Sequence, residues 1–371
     1  MKRVFLIVLD SLGIGSMPDS IEYGDLGANT LNSISKSSEF RIKNLKKLGL
    51  FNIDGVECGE RVSKPKGVIA RLSELSKGKD TTTGHWEIAG VISKTPFPTY
   101  PDGFPEEIID EFTKKTGRGV LCNKPYSGTK VIEDFGEEHI KTGKLIVYTS
   151  VDSVFQIAAH EDYVSLEELY KFCESAREIL KGEHAVARVI ARPFRGMAPQ
   201  FYRTPNRHDF SKKPPKSMLD DIIASRKSVI GIGKINDIFS GCGISEYVFT
   251  KDNADGIEKT IEYMDKDFSG LCFVNLVDFD MLYGHRNDIS GYAKALSYFD
   301  EKLGVILEKL RYDDYLIITA DHGCDPDFPG TDHTREYVPM ILYNKGITPE
   351  DLGTIEGFDY IGKKVLELLD I

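Results

Sequence analysis

Ile317-Ile318-Thr319-Ala320-Asp321-His322-Gly323 sets an acid–imidazole pair directly after a short apolar run. Such a run fits a parallel strand buried on both faces. Its polar end fits the edge where such sheets open onto a ligand crevice. Two other segments read the same way: residues 2–9, which lead into Asp10, and residues 271–277, followed by Asp278-Phe279-Asp280. Between the second of these and the opening stretch, Leu296, Phe299, Leu303, Ile306 and Leu310 recur every three to four residues. That is the period of an amphipathic helix over 290–310. Strand, helix, strand in this order predicts a right-handed crossover unit of an α/β sheet.

The middle of the chain has a different texture. Four prolines between residues 96 and 105, and Lys212-Lys213-Pro214-Pro215-Lys216, mark two breaks. Between them lie strand-like runs at 145–149 and 185–191 and a helical run at 166–180. We therefore expect an α+β domain, residues 97–213, inserted into a core domain made of 1–96 and 214–371. At 371 residues the chain is long for one average domain. Its 41% apolar and 28% charged residues are those of a globular protein, and a net charge of -11 argues against a nucleic-acid or anionic-membrane surface. Six scattered cysteines without a Cys-x-x-Cys pair suggest neither a disulfide framework nor a thiolate metal site. The apolar run at 4–9 is too short to span a membrane and ends in Asp10, which is wrong for a signal peptide. A cytoplasmic location is expected, and no obligatory protein partner is indicated.

The acids at the three strand ends are joined by nearby imidazoles. Asp10, Asp280, His285, Asp321, His322 and His333 give three carboxylates and three histidines, enough for two divalent ions with three protein ligands each. Zn²⁺ or Mn²⁺ suits this donor set, and such sites keep positions open for substrate. Any one Asp after a strand is more often a turn former, and any one His a surface or core residue. Their joint occurrence at three strand ends favours metal. His139, His160 and His184 read as structural.

The segment Gly78-Lys79-Asp80-Thr81-Thr82-Thr83-Gly84-His85-Trp86-Glu87 holds a hydroxyl run that either caps a helix or supplies a nucleophile beside backbone N–H donors. Gly84-His85 and Gly284-His285 repeat one dipeptide. From 184 to 208 there are five arginines (Arg188, Arg192, Arg195, Arg203, Arg207) and no Asp or Glu, a local balance suited to a phosphate. Asp152 is a candidate acceptor for a sugar hydroxyl. Lys234 is a candidate additional cation from the core side.

These residues resemble the phosphopentomutase family of the alkaline phosphatase superfamily. The resemblance runs through residues 8–15, 78–87, 275–286 and 319–336, and through Tyr148–Ser153, Val189–Phe194 and Arg203–His208. The Asp-His-Gly element is shared across the superfamily, whereas Lys79-Asp80-Thr81 with Arg203-Thr204-Pro205-Asn206-Arg207 is narrower. One departure is Cys324, where the family pattern leads us to expect Asn. The resemblance implies an alkaline-phosphatase-like core whose central, mostly parallel sheet is flanked by helices and interrupted by an α+β cap. It implies two Mn²⁺ ions, one on Asp280, His285 and His333 and the other on Asp10, Asp321 and His322. It also implies that Thr81 becomes phosphorylated, and only the resemblance selects it over Thr82 and Thr83.

The implied activity is an isomerase interconverting ribose 1-phosphate and ribose 5-phosphate, and the deoxyribose phosphates, in nucleoside salvage and pentose phosphate metabolism. A bisphosphate intermediate and activation by a sugar bisphosphate such as glucose 1,6-bisphosphate follow from the same source. From the local charge, sugar-phosphate contacts are expected on Asp152, Arg188, Arg192, Arg203, Arg207 and Lys234. Rival readings are a metal-dependent phosphatase, a phosphoglycerate mutase with a serine nucleophile, and a non-catalytic sugar-phosphate-binding protein.

Overall fold

The computed structural model describes residues 1–150 and 152–371, so Val151 of the 148–153 segment lies outside the described residues. The chain divides into two compact units, Met1–Thr95 with Pro214–Ile371, and Pro96–Lys213. The strands in chain order are β1 (Arg3–Leu9) and β2 (Val68–Ser73), then β3 (Val120–Pro125), β4 (Leu145–Thr149) and β5 (Val154–His160). They continue as β6 (Arg188–Met197), β7 (Gln200–Arg203), β8 (His208–Ser211), β9 (Ser228–Ile232) and β10 (Glu246–Val248). The last four are β11 (Gly270–Leu276), β12 (Asp314–Thr319), β13 (Val338–Tyr343) and β14 (Asp351–Glu356).

The first unit carries an eight-stranded sheet in the order β10-β9-β11-β1-β12-β13-β2-β14. The run β10-β9-β11-β1-β12 is parallel throughout, and β13 runs antiparallel to both of its neighbours. β1 and β11 are buried at every position, which explains their unbroken apolar character. Burying each of their large aliphatic side chains stabilises the fold by roughly 1.5–3 kcal/mol. Arg3 is also buried and makes a two-pronged contact with Asp314, at 2.8 Å and 2.7 Å, clamping the opposite end of β1 to β12. Helix Ile289–Lys309 connects β11 to β12 and buries Leu296, Phe299, Leu303 and Ile306, the expected stripe.

Parallel register carries a functional consequence. Val8 is level with both Asn275 and Thr319, so β1, β11 and β12 end at one edge. Asp10, Asp280 and Asp321 all follow those ends.

The second unit has its own sheet, β3-β4-β5-β6-β7, with β8 also pairing β6. Parallel and antiparallel pairs mix here. One face of this sheet packs Phe104, Phe112, Phe155 and Phe172; the other packs Tyr148, Phe194 and Phe201. Helix Leu166–Ile179 starts on a Ser165 cap that accepts from the Glu168 N–H, which gives the helical run at 166–180 its sharp beginning. Among the described residues no helix is long and apolar enough to cross a membrane, and all six cysteines are free thiols.

Candidate metal centre

All six expected metal ligands come together at the sheet edge of the first unit. Asp280 and His285 sit in the two short helical turns that follow β11, Phe279–Tyr283 and Gly284–Arg286. His285 Nε2 lies 3.2 Å from Asp280 Oδ2, and His333 Nε2 lies 3.3 Å from Asp280 Oδ1 and 3.1 Å from His285 Nε2. His285 turns Nδ1 to the Thr331 carbonyl at 2.6 Å, which leaves Nε2 for an ion. The other three ligands form a second group: His322 Nε2 is 3.4 Å from both Asp10 Oδ1 and Asp321 Oδ2. The rings of His322 and His333 lie against each other, tilted by 33° with centroids 4.0 Å apart, so the two groups share a wall. Asp278, in the same acidic run as Asp280, has a different role: it accepts the Asn253 N–H at 2.7 Å and anchors the start of helix Asn253–Asp265.

The donor set fits divalent cations. Among the described residues, Asp10 Oδ1, Asp280 Oδ1 and Asp321 Oδ2 are buried carboxylate oxygens that make no well-formed hydrogen bond and have only imidazole nitrogens, at 3.0–3.4 Å, beside them. A buried charge in that condition is strongly unfavourable unless a cation compensates it. The electrostatics agree. Burial, and then the Asp321 charge, holds the Asp10 carboxyl above its ordinary value. Burial disfavours the charged form of His285 as well, yet its contact with Asp280 outweighs this and lifts it to about 9. For His322, burial is outweighed by Asp321 and Asp10, and its imidazole is held well above the usual range. Cys324 is nearer than its sequence position suggests: donor atoms of Asp280, His285 and Cys324 lie within 4.8 Å of one another.

Thr81 opens helix Thr81–Ile88 and its Oγ1 is 3.2 Å from His322 Nε2. The three hydroxyls of the run are now distinguishable. Thr83 donates to Asp80 at 2.6 Å, Thr82 is buried, and Thr81 alone of the three is partly open. Neither cap nor capping box is made by threonine; Asp80 is the N-cap and accepts the Thr83 N–H.

Several positioning contacts around Thr81 have no simple sequence signal. Lys79 lies between Asp25 at 3.0 Å and Asp332 at 3.2 Å, tying the Thr81 turn to the loop that carries His333. Buried Arg335 donates to the Gly78 carbonyl at 2.6 Å and pairs with Glu74 and Asp19. Glu336 accepts from Gly15 and Thr30 N–H groups at 3.0 Å and 2.9 Å and from Thr334, joining the loops after β1 and β12.

The remaining candidates divide by location. Lys234 belongs to the first unit and lines a small pocket with Thr250, Asp252 and Asp278. In the second unit the arginines are more balanced than the 184–208 count implies, because Asp209 lies one residue beyond it. Asp209 pairs with Arg207 at 2.6 Å and lies 3.7 Å from Arg188, which is also 3.6 Å from Asp152. Arg195 pairs with Glu161. Arg203 donates to the Gly128 carbonyl at 3.1 Å, and Arg192 to Gln156 at 3.0 Å. Burial, and then the like charges of Arg207 and Arg203, pushes Arg192 down to about 10. Among the described residues the buried Tyr148 hydroxyl beside them has no hydrogen-bond partner.

Residues 2–371 match the metalloenzyme superfamily, the class that this fold and donor set define. The chain is 59% identical to a phosphopentomutase of Lachnoclostridium phytofermentans, over 100% of this chain and 96% of that protein. It is 55% identical to a phosphopentomutase of Clostridium novyi, again over 100% of this chain and 96% of the relative. A solved structure of the PH0037 protein from Pyrococcus horikoshii shares the fold, with a TM-score of 0.52 at 15% identity and coverage of 100% and 97%. The chain belongs to the phosphopentomutase family of the metalloenzyme superfamily.

Proposed function

We propose that this chain is an isomerase that interconverts ribose 1-phosphate and ribose 5-phosphate, and the 2-deoxyribose equivalents, through a phosphothreonine at Thr81. The observation that carries the reading is the partly open Thr81 hydroxyl, 3.2 Å from His322, beside six convergent ligands. Phosphorylated Thr81 gives its phosphoryl group to the free hydroxyl of the sugar monophosphate: the threonine O–P bond breaks and a new sugar O–P bond forms. The bisphosphate then returns its other phosphate to Thr81. Thr81 stands at the N-terminus of helix Thr81–Ile88, where the positive end of the helix favours a phosphorylated side chain. Asp280, His285 and His333 would hold one divalent ion and Asp10, Asp321 and His322 another, Mn²⁺ in our reading. When bound, such ions stabilise charge on the transferring group and lower the pKa of a coordinated hydroxyl.

Arg188, Arg192, Arg203 and Arg207 are proposed to bind the sugar phosphate, with Asp152 on a sugar hydroxyl and Lys234 as a further cation. The local excess of positive charge around Arg192 supports this. In this reading the second unit is the sugar-phosphate-binding domain and the first the catalytic one. A sugar bisphosphate such as glucose 1,6-bisphosphate primes Thr81. Six free thiols support a reducing, cytoplasmic setting.

The test is an Mn²⁺-dependent assay on ribose 1-phosphate that follows ribose 5-phosphate and free phosphate together, with mass mapping after incubation with the bisphosphate. Isomer without free phosphate, and label on Thr81, are expected. Phosphate release matching isomer formation favours a phosphatase, and label confined to Thr82 or Thr83 removes Thr81 from its role. Arg192→Ala should raise KM while leaving metal content at two ions.

A further inference from the structure

The Gly84-His85 pair and Asn275 are left over from the ligand set, yet both lie directly behind it. Gly84 packs so closely on the backbone of Asp321 that an added Cβ would stand 2.1 Å from the Asp321 carbonyl oxygen. Glycine here lets helix Thr81–Ile88 dock on the end of β12, and the next side chain, fully buried His85, then reaches the site. Its Nδ1 lies 2.9 Å from the Thr81 carbonyl and 3.0 Å from Asp321 Oδ2. Its Nε2 lies 3.2 Å from the amide nitrogen of Asn275, which donates to Asp10 Oδ2 at 2.8 Å.

The proton positions in this chain follow from chemistry. Asp10 is a carboxylate and accepts, so Asn275 must turn its NH₂ toward it; the reverse orientation would oppose two acceptors. The second amide hydrogen then faces His85 Nε2, which must accept it. The imidazole proton therefore sits on Nδ1, aimed at Asp321 and the Thr81 carbonyl. One cost is visible: among the described residues no donor reaches the buried Asn275 Oδ1. An amide held that way in a central strand is oriented for the site and not for the fold.

We propose that His85 and Asn275 are positioning residues, a hydrogen-bonded link that fixes Asp10 and Asp321 toward one ion and ties the Thr81 turn to the same pair of carboxylates. Outer partners of this kind orient ligating carboxylates and set metal affinity. The proposal rests on the reading of Asp10, Asp321 and His322 as ligands of one ion.

The test compares two substitutions of similar size. Asn places an amide donor near the position of Nδ1, whereas Gln places one near that of Nε2. With Mn²⁺ titrated by calorimetry into the full-length metal-free protein, His85→Asn, which keeps the donor toward Asp321 and gives up the contact with Asn275, should lose less than about tenfold in affinity for one ion. His85→Gln should lose about 10–100-fold in affinity for one ion only. His85→Gln should also lower kcat with KM for ribose 1-phosphate unchanged, and slow labelling of Thr81 by glucose 1,6-bisphosphate. Equal behaviour of the two variants would overturn the proposal, since a packing role does not distinguish them. Should His85→Gln not fold, Asn275→Leu, which keeps volume and removes both donors, is expected to show the same single-ion loss; wild-type affinity there sinks the link. Wild-type protein that binds no Mn²⁺ at all would instead refute the ligand assignment beneath it.

Discussion

The two halves of the metal centre are built to different standards of enclosure. Asp10, Asp321 and His322 are sealed, with side-chain exposures of 0%, 0% and 1%, whereas Asp280, His285 and His333 stand at 9%, 33% and 11%. The sealed half takes its carboxylates from just beyond adjacent parallel strands, β1 and β12, and is backed by His85 and Asn275. The open half hangs on a turn and a loop, with the His285 ring anchored through Nδ1 to the Thr331 carbonyl. A matching docking device serves both. Gly84 packs on Asp321, and Gly284 packs on Cys324, where a Cβ would meet Sγ at 2.7 Å. Rigid strand ends fix geometry; loops leave a path for solvent and ligand.

The sharpest way to separate metal holding from chemistry is Thr81→Ala. Mutase activity should fall by on the order of 10³-fold or more, as for loss of a covalent nucleophile, while both ions remain bound by elemental analysis. Asp321→Asn should next abolish tight binding of the sealed ion, beyond the roughly 10–100-fold expected for an outer partner, and His285→Ala should weaken only the open one. If calorimetry shows the reverse pairing, the division of the six ligands is wrong. Chelation offers a kinetic version of the contrast. Metal should leave in two phases, fast from the open half and slow from the sealed one, and the melting temperature should drop mainly with the second. A single phase would erase the distinction. The smallest effects concern the glycines. Gly84→Ala drives a Cβ to 2.1 Å from backbone and should destabilise by about 1–3 kcal/mol, whereas Gly284→Ala meets Cys324 Sγ at 2.7 Å and its Cβ at 2.9 Å, a milder clash that should sit at the lower end of that range. Thermal melts of the metal-free proteins decide it.

The sealed half was also the more legible in sequence. Apolar runs ending in Asp10 and in Asp321-His322 announce both the strands and their chemistry, because central parallel strands leave almost no polar residue inside to confuse the pattern. Asn275 was a readable exception, an amide within Cys272-Phe273-Val274-Asn275-Leu276, yet nothing local says what it faces. His85 stood out only as the twin of His285, since its partner Asp321 is brought to it by tertiary packing. The threonines could not be ranked without burial. In the second unit the charge pattern exaggerated the free arginines, because Asp209 folds back onto Arg207 from just past the run.

The contact between Asn275 and Asp10 joins residues 265 positions apart in the chain. Both neighbours of β1 in the sheet, β11 and β12, come from that distant end. During synthesis, at about 5–20 residues per second, β1 leaves the ribosome on the order of 10–50 s before either neighbour exists. The strands β3 to β8, by contrast, find all their partners within residues 120–211. The inserted segment therefore completes its sheet while the strand that leads into Asp10 is still waiting. For that interval the uncharged run Val4 to Leu9 has neither of its sheet neighbours, the condition in which an apolar strand is prone to aggregate.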